Sequence, residues 1–323
     1  NDVAQAFIDP RFDLGRLQAA TRIGRQEIQY GQGALLNIGE QPNIRQAFDG
    51  AVLRLTTPGK HQVDLLALRP ILYDRDNFDD SSDNNTRLLG LYASLNLAPQ
   101  RGVDLYAFAR DMDERNFQGF VGREERYTLG TRLFGRQQQL DWNWDLMLQG
   151  GEHAGRDIRA WAIRSDSGYT FDNRLRLRLG LHLDVASGGD PLSASQSRTF
   201  DALYPRNGTY GEANLTTMSN LILAGPSFNF KPARTIEVYS SILQTWRHAT
   251  DDYVYLPGVR PLAGTLNNSA REIGTTYQFT GRWQPTANFN IDLHAMHLAA
   301  GRAITRAGGH DNNTLVVRTA MRF

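Results

Sequence analysis

Along "RLRLRLGLHLDV" (174–185) apolar side chains fall on every second position. Leu175, Leu177, Leu179, Leu181, Leu183 and Val185 alternate with Arg174, Arg176, Arg178, Gly180, His182 and Asp184. Successive side chains of a β-strand point to opposite faces, so this segment has one aliphatic face and one charged face. The pattern recurs. In "REIGTTYQFTGRWQP", Ile273, Thr275, Tyr277, Phe279 and Trp283 oppose Glu272, Gly274, Thr276, Gln278, Thr280 and Arg282. In "LDWNWDLMLQG", Trp142, Trp144, Leu146 and Leu148 oppose Asp141, Asn143, Asp145 and Gln149. "LLGLYASLNLA" and "RTIEVYSSILQTW" read the same way, the latter with Glu237 on its polar face.

Less regular alternation near 3–12, 61–73, 102–113, 156–171 and 219–232 brings the expected number to about fifteen strands, many longer than the usual ~5–6 residues. Helical periodicity is confined to a stretch near 213–220. Short turns are expected at 57–60, 99–102, 136–139, 171–173, 231–233 and 284–288. Between them lie longer polar connections at 29–46, 74–85, 112–124, 188–218, 248–270 and 303–313, with a short one near 150–156. Tight turns at one end and long loops at the other are the mark of an up-and-down antiparallel barrel. Composition does not shift along the chain, so residues 1–323 read as a single domain.

A soluble β-sandwich alternates too. Three features favour a membrane barrel. The polar faces hold Gly, Thr, Ser and Asn as well as charge, as a crowded lumen would. Trp246 and Trp283 sit near apolar strand ends, where an interfacial girdle belongs. Closure also removes the exposed edges that fifteen strands would otherwise present. The leucine rows are therefore expected to face lipid and the arginines an aqueous interior.

Composition changes this picture little. Net charge is +1, so no basic field points to nucleic acid. Every basic residue is Arg except Lys60 and Lys231, and Arg keeps its charge and its planar fork in crowded places. Without cysteine there is neither a disulfide nor a thiolate metal site, and no cofactor is expected. No apolar run approaches the ~20 residues of a membrane helix, whereas a spanning strand needs only ~9–11. "NDVAQAFIDP" has no basic start or apolar core of a signal peptide, and reads as the start of a processed or truncated piece. The last strand, "TLVVRTAMRF", alternates Leu315, Val317, Thr319 and Met321 up to Phe323, with Arg318 and Arg322 on the other face. A terminal aromatic of this kind looks like the signal read by the bacterial barrel-assembly machinery.

"RIGRQEIQYGQG" followed by "EQPNIRQAFDGAVLRL" resembles the alginate-export family of outer-membrane barrels. The likeness is carried by Gly24, Arg25, Gln26, Glu27, Tyr30, Gly31 and Gly33, then Pro42, Asn43, Arg45, Phe48, Asp49 and Gly50. A third block, "FDALYPRNGTYG", supplies Phe200, Tyr204, Pro205, Tyr210 and Gly211. The resemblance implies a monomer of about 18 strands in the bacterial outer membrane, with an arginine-lined pore for an anionic polysaccharide. About three strands would then be missing ahead of the first, leaving the barrel open. It also adds Arg25 and Glu27 to the lining. This chain departs from the alginate-passing pattern at Ala4 and Gln5, where that pattern has Arg-Glu, and at Glu27, where it has a second arginine.

The expected pore lining comprises Arg25, Glu27, Arg132, Asp145, Arg174, Arg176, Arg178, Asp184, Glu237, Glu272, Arg282, Arg318 and Arg322. Arg174, Arg176 and Arg178 would stand ~7 Å apart at ~3.3 Å per residue, a ladder for carboxylates. The competing reading is that these arginines are salt-bridged internally and stiffen the wall. Function is then a channel for anionic solutes, including uronate oligomers or polymers; alternatively an uptake porin for small nutrients, or an outer-membrane enzyme. The enzyme reading is the weakest. His294 and His297 are three apart on a strand and face opposite sides. His182 and Asp184 lack a nucleophile motif. Asp111, Asp113 and Glu114 read as solvated charge, and "YGQG" opens no helix that could cradle phosphate. The 29–46 and 188–218 loops are the candidates for folding inward.

Overall fold

The computed structural model describes residues 3–39, 45–76, 78–205 and 210–322. Pro42, Asn43 and Phe323, on which part of the family likeness and the assembly signal rest, lie outside them. Among these residues fifteen strands make one antiparallel meander, each paired with the next. They are β1 (Ala6–Ile8 with Arg11–Leu14), β2 (Leu17–Gln26), β3 (Phe48–Thr56), β4 (Gln62–Leu72) and β5 (Thr86–Ala98). Next come β6 (Arg101–Phe117), β7 (Phe120–Gln137), β8 (Leu140–His153), β9 (Arg156–Thr170) and β10 (Arg178–Ala186). The last five are β11 (Leu221–Ala233), β12 (Ile236–Trp246), β13 (Glu272–Thr286), β14 (Phe289–Ala300) and β15 (Asn312–Met321). Among the described residues β1 pairs only with β2, and β15 only with β14, so the wall is open between them.

The outward face is apolar, as the alternation predicts. Leu181 is 60% exposed, Leu129 59% and Leu315 69%, and their rows continue through Leu89, Leu148, Ile163, Phe279 and Trp283. A band of this extent on a water-soluble protein would drive association; in a membrane it is the surface that lipid wets. The inward residues are buried instead, among them Met147, Asp145, Arg126 and Thr128.

Two local expectations fail. The 112–124 connection is not a long loop: β6 and β7 run on to a two-residue turn at Gln118–Gly119, whose positive φ values of 58° and 85° suit a tight hairpin. The 213–220 stretch is turns and bends, because Gly211, Asn214 and Asn220 all take positive φ. The helix is Arg302–Thr305 instead, in the loop before β15.

Candidate functional site

Inward-facing charge is organised as pairs across neighbouring strands. Arg132 Nη1 on β7 lies 2.8 Å from Asp104 Oδ2 on β6, and Arg164 Nε on β9 lies 3.3 Å from Asp184 Oδ2 on β10. Arg282 Nε on β13 lies 2.7 Å from Asp292 Oδ1 on β14, and Arg54 Nη2 on β3 lies 2.7 Å from Asp64 Oδ2 on β4. Arg178 reaches Asp141 at 2.6 Å and also Asp166, which in turn stands 2.9 Å from His182 Nδ1. In the Arg54 and Arg282 pairs the guanidinium side chain is 47% and 54% exposed while its carboxylate is 0% and 4% exposed. The acid belongs to the wall and the base meets the water.

Long loops fill the lumen above this wall. Leu35, Leu36, Phe200, Ala202 and Leu203 are buried against inward residues of the strands, including Phe48, Leu88, Tyr92, Phe108 and Met147. The two inner loops join through backbone bonds, Asn37 N to Tyr204 O and Tyr204 N to Leu35 O, both 2.9 Å. Phe48 and Tyr204 meet edge to face at 5.2 Å. Tyr30 donates to Asp64 at 2.7 Å, tying the first loop to the wall.

The second loop is tied at several places, among them Gln196–Ser197, which pair with Asp157–Ile158 of β9. Asp201 meets Arg110, Arg115 (2.7 Å) and Arg126 (4.0 Å), while Glu124 accepts from the same three arginines. Gln149 exchanges two hydrogen bonds with the Asp201 backbone, at 2.6 and 3.0 Å. Burial alone would raise the Asp201 carboxyl, but the three guanidiniums hold it well below the ordinary carboxylate range. Farther along, Tyr210 donates to Asp184 at 2.9 Å and its carbonyl accepts from Gln278 at 3.0 Å. The third loop, 247–271, is organised by Arg247, whose buried guanidinium donates to the carbonyls of Asp252, Thr265, Asn268 and Ala270.

Below the loops a cavity of about 560 Å³ is bordered by Arg164, His182, Asp184, Tyr239, Arg282 and His294. It shares Gln32, Asp166 and Asn229 with a neighbouring space of about 450 Å³ beside Arg132 and Arg178. Of the expected lining, Arg132, Asp145, Arg178, Asp184, Glu237, Arg282 and Arg318 face the interior. Glu27 lies just past β2, 3.4 Å from Arg45, at the edge of a cavity of about 570 Å³ near the open seam. Arg322 is exposed past the end of β15.

The rest are corrected. Arg174 and Arg176 lie in the turn before β10, exposed, with Arg176 at φ 49° and Asn173 bonding the amides of Arg176 and Leu177. No three-rung ladder forms. Glu272 points outward and accepts from Gln244 at 3.3 Å, because a bulge at Ile273 and Gly274 switches the faces and buries Ile273 inside. Arg25 shares the outward face with Ile23 and pairs with Asp49 at 3.1 Å. The "GRQ" and "FDG" blocks are thus a clamp on the wall. Gly24 and Gly50, at φ 129° and 148°, leave no room for a Cβ beside the carbonyls of Ala6 and Ala67. Gln26 binds the carbonyls of both glycines, at 3.3 and 3.2 Å.

Sequence reasoning missed Arg54, Asp64, Asp104, Arg110, Glu124, Arg126 and Asp292. Their signal is a charged, polar or small residue at every second position, as in Glu124, Arg126, Thr128, Gly130 and Arg132.

Sequence comparison with curated proteins finds no match. Among solved structures the chain is similar to three outer-membrane proteins of Pseudomonas aeruginosa, each at 12% identity. OccK11 (OpdR) superposes with TM-score 0.61 over 98% of this chain and 80% of its own. OccD3 (OpdP) gives 0.63 and OprD 0.57, each over 94% of this chain and 74% of its own. At that identity the likeness speaks for the barrel fold alone. The sequence signature of alginate export proteins matches residues 1–318. The chain therefore belongs to the alginate export family, a bacterial outer-membrane β-barrel of the channel kind.

Proposed function

We propose that this protein is a selective outer-membrane channel for small carboxylated solutes, uronate sugars above all. The observation that carries this reading is the order within two luminal ion pairs, Arg54–Asp64 and Arg282–Asp292: guanidinium toward water, carboxylate against the wall. A solute in the lumen meets fixed positive ends whose compensating charge lies behind them. Arg also offers two parallel donors to a carboxylate. The loops favour a small solute, since buried apolar contacts and backbone bonds tie them across the lumen.

Membership of a family named for alginate export supports a second reading, passage of a longer uronate chain. That passage requires the inner loops to move aside. Current through the complete protein in a planar bilayer separates these outcomes. Under a KCl gradient the reversal potential should show anion preference, and cation preference would overturn the proposal. Block by free glucuronate at concentrations where alginate polymer has no effect supports the small-solute reading; block by polymer alone supports the second.

A further inference from the structure

The second inner loop is held at its two ends in different ways. At Asp201 the carboxylate is 2% exposed and enclosed by three arginines. At the other end Glu212 Oε2 lies 3.0 Å from Arg318 Nη2 on β15, and Glu212 Oε1 lies 3.7 Å from His294 Nδ1 on β14. Here the side chains are reached by water, Arg318 being 33% and Glu212 19% exposed. The 560 Å³ cavity borders this contact directly, with Glu212, His294 and Arg282 in its wall. His294 Nε2 is buried and finds no hydrogen-bond partner among the described residues.

The chain also passes close against the wall at this point. Gly211 sits at φ 120°, and a Cβ there would lie 2.4 Å from Met296 Sδ. Tyr210 and Glu212 therefore leave the glycine toward opposite anchors, Asp184 on β10 and Arg318 on β15. Glu212 is thus paired with Arg318 beside a cavity, with His294, whose Nδ1 meets Thr280 Oγ1 at 3.1 Å, as a looser neighbour: a carboxylate in a carboxylate site.

Building on the channel proposed above, we infer that Arg318 and His294 form a solute-carboxylate site that the protein's own Glu212 occupies in the resting state. A carboxylate entering from the cavity exchanges with Glu212, and the Tyr210–Asn214 segment is released from the β14–β15 wall while Asp201 keeps the loop docked. A water-reached ion pair is weak and swaps partners readily, whereas the buried cluster does not.

The test uses the complete protein in planar bilayers with KCl, with and without glucuronate as the probe. Glu212→Gln keeps the shape of the side chain and removes its charge. It should raise the open fraction in plain KCl by about two- to fivefold, the change expected from losing one solvent-reached pair. Saturating glucuronate should bring the unsubstituted channel to the same level and leave Glu212→Gln unchanged. Exchanging the charges, Glu212→Arg with Arg318→Glu, should restore the low open fraction in KCl and abolish the glucuronate response. An unchanged open fraction in Glu212→Gln, or a glucuronate response that survives in it, overturns the latch. Ion preference read from the same records reports on the channel proposal separately: anion preference with no effect of Glu212→Gln sinks the latch alone, and cation preference sinks the channel reading itself.

Discussion

Arg54 sets Nη2 2.7 Å from Asp64 Oδ2, the guanidinium half in water and the carboxylate wholly buried. The same carboxylate accepts from Tyr30 of the first inner loop at 2.7 Å. One acid thus holds a luminal cation in place and docks a loop. Asp64→Asn should release both. The lumen gains about one positive charge, so the reversal potential moves further toward anions. Loss of a buried charged acceptor costs ~1–3 kcal/mol, seen as a lower unfolding temperature in detergent. A variant with unaltered ion preference would show that Arg54 does not face the conducting path.

Arg178 is the member of the arginine-rich segment that reaches the interior. Its side chain bridges Asp141 and Asp166, while Arg174 and Arg176 lie in the exposed turn. Arg178→Glu places a third carboxylate beside two others and should shift selectivity toward cations, with a measurable loss of stability. Arg174→Glu and Arg176→Glu should each leave the reversal potential within error. Equal shifts from all three would restore the ladder that this structure rejects.

The contrast shows what the sequence carries and what it hides. Alternation over Leu179, Leu181 and Leu183 is a local property of the strand, so the number of strands and their apolar face were legible. Faces were misread where glycine bulges intervene. Gly274 is visible as a letter, but its φ of 149° and the consequent reversal of Glu272 and Ile273 depend on how β12 and β13 register. Pairing was hidden for a related reason. Arg132 and Asp104 are 28 residues apart and meet only because β6 and β7 align as they do. The inward fold of the loops did leave a trace, since Leu35, Leu36, Phe200 and Leu203 are apolar residues within long connections.

Facing can be tested directly at Leu181, which is 60% exposed on the outer surface between Leu179 and Leu183. Arginine on the lipid side of a barrel costs ~2–4 kcal/mol near the midplane. Leu181→Arg should therefore lower folding yield into lipid vesicles and the stability of the folded form by up to that amount. Leu181→Phe should be close to neutral. Arginine tolerated as well as phenylalanine would mean that this row does not meet lipid.

The loops respond to pH in opposite senses. Asp252 is fully buried in the third loop, and burial pushes its carboxyl up to about 6 despite donors from Thr199, Tyr255, Gly189 and Tyr253. The folded state keeps that proton up to pH ~6, whereas the unfolded chain releases it near ~4. Between those values the folded state binds more protons, so stability falls as pH rises, by ~3 kcal/mol at most for this group. Asp201 has the reverse sign. Its depressed pKa contributes stability above the unfolded value near ~4 that is lost only as pH drops further toward the folded value. Docking of the 247–271 loop should thus weaken from pH 4 to 6, while docking at Asp201 persists across that range. Amide exchange at Tyr253 and Val254, followed against pH, measures the first effect. Asp252→Asn should remove its slope between pH 4 and 6, and a slope that survives the substitution would assign the titration to another group.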